Sequence, residues 1–350
     1  MREAWRRIVV RVPNWVGDAV MATAAFRCLR RGFPGARIAL ALRPRHAELF
    51  AGLDSFDEMI PLPGRGARAV LAWARAIRAG RFDLALCLPN SFSSALTLAL
   101  ARVPRRVGYA GNARGFLLTE RLRSEREGRR RRPVWMVDYY LELCAALGLP
   151  REPRRPELAV TAEEDERCEG FLRGRGWGGE PLVAVNPGAS FGPSKLWRGD
   201  AFAAAADRIA SPRGATVLVL VGPGEEEVGR EVERHVRGRC IGTSDAPLPF
   251  GPLKAALRRS LVLLTTDAGP RHVAVALDRP VVTVMGPTDP RYSEGAMERQ
   301  VVLRRTDVEC MPCHLKVCPI DHRCMERLTA DDAVAAAERL LGGVRTRRGS

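Results

Sequence analysis

The apolar run Leu261-Val262-Leu263-Leu264-Thr265-Thr266 stops at Asp267-Ala268-Gly269-Pro270, and apolar character resumes through Arg271-His272-Val273-Ala274-Val275-Ala276-Leu277. A short apolar run without alternation suits a strand covered on both faces, as in a parallel sheet. Gly269 lets the backbone come close to a ligand, and Pro270 suits a first helical turn, where its missing N–H breaks no bond. The spacing therefore predicts a buried strand feeding a helix. The free amides of that helix favour phosphate. Thr265, Thr266 and Asp267 line the same crevice, although an aspartate here also serves as a plain helix cap.

A chain of 350 residues exceeds one ordinary core and predicts two domains. No stretch approaches the ~18–20 apolar residues of a membrane span. The apolar run near the N-terminus is too short for a secretion signal, so a cytoplasmic location is expected. Nine cysteines, an odd number, suggest reduced thiols instead of a disulfide framework. A formal charge of +16 suggests an anionic partner: nucleic acid, an anionic lipid surface or a phosphorylated substrate. Biased composition is the alternative source of that charge, since of 56 basic residues only Lys195, Lys254 and Lys316 are lysine.

Residues 8–12 predict a first buried strand, followed by Pro13-Asn14-Trp15-Val16-Gly17-Asp18 and a helix over 19–31. Asp18 would then lie at the carboxyl edge of the sheet, where open α/β folds bind ligands; equally, it complements a helix dipole. Strands at 37–42 and 84–88 alternate with helices at 67–79 and 94–101, the pattern of a parallel sheet with crossovers. The arginine-rich residues 121–132 predict a solvated loop, with contact to an anionic substrate or membrane as the other reading. A helix over 134–147 and a Pro- and Arg-rich stretch over 148–156 place a domain boundary, giving 1–155 and 156–350. The second half repeats the plan with helices at 162–173 and 201–209 and strands at 182–185, 215–221 and 281–285.

The loop Asn186-Pro187-Gly188-Ala189-Ser190-Phe191-Gly192-Pro193-Ser194-Lys195 follows a strand and ends on a lysine, a compact charge suited to phosphate. Val221-Gly222-Pro223-Gly224-Glu225-Glu226-Glu227 places acids where a ribose hydroxyl could be held, but it is not a dinucleotide fingerprint. His272 either contacts a ligand or fills the core, and Gly286-Pro287-Thr288 supplies further donors. Cys310, Cys313, Cys318 and Cys324, interleaved with His314 and His322, offer enough ligands for a metal, yet the spacing is irregular for zinc modules; structural thiols in a compact loop are the preferred reading. No Asp-x-Asp clamp for a divalent metal and diphosphate occurs.

Taken together, Asn14-Trp15-Val16-Gly17-Asp18, Leu88-Pro89-Asn90-Ser91-Phe92, Asn186-Pro187-Gly188-Ala189 with Lys195, Thr266-Asp267-Ala268-Gly269 with His272, and Gly286-Pro287-Thr288 resemble the ADP-heptose:lipopolysaccharide heptosyltransferases, glycosyltransferase family 9, closest to its type II members. The resemblance runs in order over nearly the whole chain. It implies an α/β GT-B architecture, two Rossmann-like domains facing across a cleft, the first binding acceptor and the second the nucleotide sugar, with the last helix returning to the first. It implies inverting transfer of heptose from ADP-heptose to a heptose of the lipid A–Kdo inner core, with no cofactor and no metal. Asp18 matches the catalytic aspartate, Lys195 the phosphate lysine and Asp267 a donor-contacting aspartate. Gly17, Asn90, Ser190, Glu225, Thr266, Ala268, Gly269, His272 and Thr288 fall at substrate-binding positions, Glu225 standing for whichever of Glu225 to Glu227 meets the ribose. Such an enzyme would work at the cytoplasmic face of the inner membrane, as a peripheral protein. Two other readings stand beside it: a family 9 enzyme with another acceptor or nucleotide sugar, and a metal- and nucleic-acid-binding protein. The arginine run lacks interleaved aromatic residues for stacking, which counts against nucleic acid.

Overall fold

The computed structural model describes residues 5–128 and 130–342, so Arg129 of the basic run lies outside the described residues. The chain divides between Leu158 and Ala159, slightly beyond the expected boundary, and Arg291–Ser293 group with the first unit.

The first unit runs β1 (Arg7–Arg11), α1 (Val16–Met21), α2 (Thr23–Gly32), β2 (Arg37–Leu42), α3 (Ala47–Phe50), β3 (Glu58–Pro61), α4 (Ala67–Ala79), β4 (Leu84–Cys87), α5 (Phe92–Leu100), β5 (Arg105–Tyr109), β6 (Glu120–Leu122), the hairpin β7 (Arg126–Glu127) and β8 (Arg130–Arg131), and α6 (Met136–Ala145). Its six-stranded sheet has the order β3-β2-β1-β4-β5-β6, every pair parallel. Ile8, Val9 and Val10 of the central β1 are fully buried, each contributing roughly 1.5–3 kcal/mol by removal from water. Strand alternation sends Val9 toward α4 and α5, where it joins Trp73, Ile77 and Leu98.

The second unit runs α7 (Ala162–Gly174), β9 (Leu182–Asn186), α8 (Gly199–Ala210), β10 (Thr216–Val219), α9 (Glu226–His235), β11 (Cys240–Gly242), α10 (Phe250–Arg259), β12 (Ser260–Thr266), α11 (Gly269–Ala276), β13 (Val281–Val284), β14 (Gln300–Leu303), α12 (Arg323–Glu326) and α13 (Ala330–Gly342). Its sheet repeats the first in order, β11-β10-β9-β12-β13-β14, again all parallel. The fold class expected from the alternating pattern is the one observed, two Rossmann-like α/β units.

Three expectations are corrected. The helix placed at 19–31 is divided at Ala22 into α1 and α2. There the Thr23 hydroxyl donates to the Val20 carbonyl (2.7 Å) and accepts from the Glu157 N–H (3.0 Å), local bonding that competes with the helical ladder. The basic run is not simply a solvated loop. Its start is edge strand β6, where Glu120 meets Arg105 of β5 at 2.7 Å, and part of the rest is the β7–β8 hairpin; a charged edge strand resists further pairing. Helix α13, expected to return to the first unit, packs on α8 and on β12 to β14 of the second, burying Ala333, Ala336 and Ala337. Among the described residues no helix is long and apolar enough to cross a membrane.

Candidate active site

In each sheet the chain starts at a central strand, winds one way, then returns to the other side of that strand. The turning points lie between β1 and β4 and between β9 and β12. Loops leaving neighbouring strands in opposite directions open a crevice at their carboxyl ends. Asp18 and Asn90 follow β1 and β4; Lys195 and Asp267 follow β9 and β12. The candidate residues thus stand on loops flanking the two switch points.

In the first unit, Asp18 is half-buried in the first turn of α1, next to Gly17. The Tyr140 hydroxyl of α6 lies near its carboxylate; burial and then the Asp18 charge hold that phenol well above its usual range, so it stays protonated beside the acid. The turn before Asp18 rests on Arg11, which is 1% exposed and donates to the Val12 carbonyl and to Asn14 Oδ1 (3.0 Å). Burial lowers the Arg11 pKa to about 10, which leaves it charged at neutral pH. Asn90 is held from beneath: its Oδ1 accepts from the fully buried Arg114 (2.7 Å) and its Nδ2 meets the Tyr139 hydroxyl (2.9 Å). Tyr139 stacks on Tyr109 with centroids 3.8 Å apart, and the Arg131 guanidinium lies 4.4 Å from the ring centroid of Tyr139 and 5.2 Å from that of Tyr292. Arg131, read from sequence as part of a solvated run, is therefore half-buried on an aromatic stack.

The second unit brings three side chains, the candidates Lys195 and Thr288 together with Arg271, onto the carboxylate of the candidate Asp267. Lys195 Nζ donates to Asp267 Oδ2 (2.6 Å) and to the Asp267 carbonyl (2.8 Å); Thr288 donates to Oδ2 (2.8 Å), and Arg271 to Oδ1 (2.9 Å). Asp267 does not cap α11, whose N-cap is Ala268 with no side-chain hydrogen bond. Burial acts to raise the Asp267 pKa, but Lys195 and Arg271 outweigh it and hold the group below the usual carboxylate range. His272 is pushed down to about 3, by desolvation first and then by Arg271, and so is neutral at neutral pH. Two cations against one anion leave the cluster with one net positive charge beside the first amides of α11, from Gly269 onward. That is the electrostatics an anionic diphosphate needs. Thr266 donates to the Gly188 carbonyl (2.6 Å), joining the β9 loop to the β12 loop.

Of the three consecutive acids, the structure singles out Glu225. Glu227 pairs with Arg230 (3.0 Å) and Glu226 accepts from Gly224 N–H (3.0 Å). Glu225 accepts from Gly222 N–H (3.0 Å) and lies so close over Gly188 that a methyl there would stand 2.1 Å from its Oε2. Burial, the leading cause, raises its pKa. Ser190, in the same loop, is exposed. Sequence reading passed over Arg271, Arg11, Arg114 and Tyr140. The signal for the first two was a charge set inside an apolar run, Arg11 within a buried strand and Arg271 at the start of a buried helix.

All nine cysteines are free thiols. Cys310 is exposed, Cys313 and Cys318 are half-buried and Cys324 is buried, and among the described residues no group of three or more such side chains could hold a metal ion.

The model of glycosyltransferase family 9 (heptosyltransferase) matches residues 70–323. Lipopolysaccharide heptosyltransferase 2 of Salmonella typhimurium is 30% identical over 318 residues, covering 85% of this chain and 88% of that protein. The Escherichia coli protein of the same name is 29% identical over the same shares. Among solved structures, a family 9 glycosyltransferase from Veillonella parvula matches with a TM-score of 0.83 at 22% identity, over 98% of this chain and 99% of that one. The ADP-heptose lipopolysaccharide heptosyltransferase II of E. coli matches with 0.80 at 24%, over 97% and 99%. With two Rossmann-like units and a family match over most of its length, this chain belongs to glycosyltransferase family 9, the heptosyltransferases, and is a GT-B glycosyltransferase.

Proposed function

We propose that the enzyme transfers heptose from ADP-heptose to a heptose of the lipopolysaccharide inner core, as a heptosyltransferase II. The observation that carries this reading is the net-positive Lys195–Asp267–Arg271 cluster at the amide-rich start of α11, a seat for a nucleoside diphosphate. Lys195 and those amides stabilise charge as the diphosphate departs, electrostatics in place before the reaction starts. Asp267, tied by Thr288, orients the ammonium. Glu225 takes the ribose, with Ser190, Ala268, Gly269 and His272 lining the donor site. Asp18 is the general base: as the acceptor hydroxyl oxygen attacks the anomeric carbon and the bond to ADP breaks, its carboxylate takes the hydroxyl proton. Tyr140 orients that carboxylate, and Gly17 and Asn90 shape the acceptor loops.

The acceptor is a lipid, and the first unit suits work at a membrane surface. Its exposed aromatics Trp15, Phe92 and Phe116 stand in the segments that follow β1, β4 and β5, Phe92 at the start of α5, with Phe92 and Phe116 6.1 Å apart. Exposed Arg45 and Arg121 flank them, Arg45 bonded to the Asn14 carbonyl and Arg121 packed beside Gly115. Aromatic and basic side chains together favour an anionic bilayer interface at the cytoplasmic face.

The test is mass-spectrometric detection of heptose transfer from ADP-heptose to lipid A–Kdo acceptors carrying no heptose or one. Product on the mono-heptosylated acceptor alone supports the type II reading; product only from another sugar nucleotide or acceptor refutes it. Asp18→Asn should lower turnover by about two to four orders of magnitude while ADP binding persists. Unchanged turnover removes Asp18 as the base.

A further inference from the structure

The four-cysteine stretch has no part in the chemistry above, yet it holds both loops that surround Lys195. Its inner end is anchored in the core of the second unit: Cys324 and Met325 are buried there with Leu328, whose carbonyl accepts from Trp197 Nε1 at 3.1 Å. From that anchor it reaches the β9 loop at three points. His322 Nε2 lies 2.7 Å from the Ser194 carbonyl, Ser194 N–H donates to the Lys316 carbonyl (3.1 Å), and Ser194 Oγ donates to the Leu315 carbonyl (2.6 Å). Gly192, at φ 151°, lies so close that an added methyl would stand 2.6 Å from the Lys316 carbonyl oxygen, a backbone atom that cannot swing aside. The stretch also reaches the loop after β13. His314 N–H donates to the Pro287 carbonyl (2.8 Å), and a methyl on Gly286 would meet Cys324 Sγ at 2.8 Å and Met325 Sδ at 2.6 Å. One loop carries Lys195 directly after Ser194; the other carries Thr288 directly after Pro287. Both side chains converge on Asp267.

We propose that residues 310–325 are a clamp that sets the two donor loops in register, and that His322 is its positioning residue, acting on Lys195 through the Ser194 carbonyl. A carbonyl only accepts, so Nε2 of His322 carries the proton in this contact. The clamp rests on the reading that Lys195 holds the donor diphosphate. By linkage, if the clamp favours ADP binding, ADP binding must in turn tighten the clamp.

The experiment uses the full chain with His322→Leu, which removes the donor, and His322→Gln, whose side-chain amide can donate to the same carbonyl. ADP affinity is measured by calorimetry, and KM for ADP-heptose and for acceptor by steady-state kinetics. His322→Leu should weaken ADP and raise the donor KM by about ten-fold, the worth of one such bond, with the acceptor KM unchanged, and His322→Gln should restore most of the loss. A second readout needs no variant: carbamidomethylation of Cys313 and Cys318 by iodoacetamide should slow when ADP is saturating. If His322→Leu does not fold, Ser194→Ala, which cuts the tie to Leu315, takes its place with the same expected split. Unchanged ADP affinity in the folded variant, an equal loss for both substrates, or thiol labelling indifferent to ADP overturns the clamp. Lys195→Met is the control. If it too leaves ADP affinity unchanged, the donor-site reading has failed; if it weakens ADP while His322→Leu does not, only the clamp has failed.

Discussion

Lys195→Met separates chemistry from fold more cleanly than any other change in the donor cluster. Methionine keeps an unbranched stem of similar length against Phe191, whose ring lies 5.1 Å from the ammonium, and removes only the charge. Asp267 loses its contact with Lys195 at 2.6 Å but keeps Arg271 at 2.9 Å and Thr288 at 2.8 Å, so its carboxylate is not left alone in the interior. The cluster's net charge falls from one positive to zero. A hydrogen bond to a charged partner is worth about 1.5–3 kcal/mol, so the variant should lose about 10- to 150-fold in kcat/KM for ADP-heptose. The distribution of that loss is informative. If Lys195 meets charge that grows as the diphosphate leaves, kcat falls with kcat/KM; if it grips the ground state equally, KM rises alone.

The assay is steady-state transfer followed by release of ADP, paired with thermal unfolding. For a unit of this size each kcal/mol lost shifts the midpoint by about 2–4 °C. The retained partners of Asp267 should hold the shift to a few degrees. A kcat/KM within two-fold of the native enzyme, with unaltered ADP affinity, would refute the argument and place the diphosphate elsewhere.

Two further predictions concern the same unit. Gly188→Ala must drive the Glu225 carboxylate off its seat, because the added methyl stands 2.1 Å from Oε2; ADP should bind about ten-fold more weakly by calorimetry. Glu225→Ala should do the same, and the double variant should be no worse than either single, whereas additive losses would show that the two changes act on different contacts. The depressed pKa of Asp267 contributes stability that is complete above the unfolded carboxylate value near ~4 and is lost as pH falls toward the folded value. The urea midpoint of Asp267→Asn should therefore lie below that of the native chain at pH 7, with the gap steady down to about pH 4 and narrowing below it, and a gap that does not narrow below that point would count against the ion-pair account.

Much of the fold was legible because the buried strands are apolar on both faces. Residues 37–42 coincide with β2 for that reason, and 67–79 with α4 because its buried Val70, Trp73, Ala74 and Ile77 recur at helical spacing. The strands that escaped reading lie away from the sheet centres: β3, β6, β11 and β14 carry few buried side chains, and β5 begins Arg105-Arg106, with Arg105 paired to Glu120. Their apolar periodicity is weak because few of their side chains enter the core, so pairing with a neighbour, not local pattern, makes them strands. The positions of Asp18, Lys195 and Asp267 were legible as loop ends after buried strands. The neighbour of Asp18 was not, because Tyr140 is supplied by a helix more than a hundred residues further on, and no spacing in the sequence encodes that contact.

The lysines show how a compositional oddity acquires a physical cause. In a chain that uses arginine almost everywhere, Lys254 is fully buried with its ammonium 3.0 Å from Glu164, and Lys195 is 12% exposed with its ammonium 2.6 Å from Asp267. A guanidinium is a wide planar fork that needs several acceptors laid out in its plane, whereas an ammonium is a compact charge that fits a narrow recess beside one carboxylate. Arg271, fully buried on the other side of the same Asp267, meets the wider demand by also reaching Gln300 Oε1 at 3.2 Å. The two cations around Asp267 therefore divide the work by shape. The arginine is fixed by two acceptors and serves as scaffold. The lysine has used two of its three hydrogens on Asp267, at the carboxylate and the carbonyl, and can turn the third toward an anion without breaking the pair. That asymmetry leaves the lysine, and not the better-buried arginine, with a hydrogen to offer an anion.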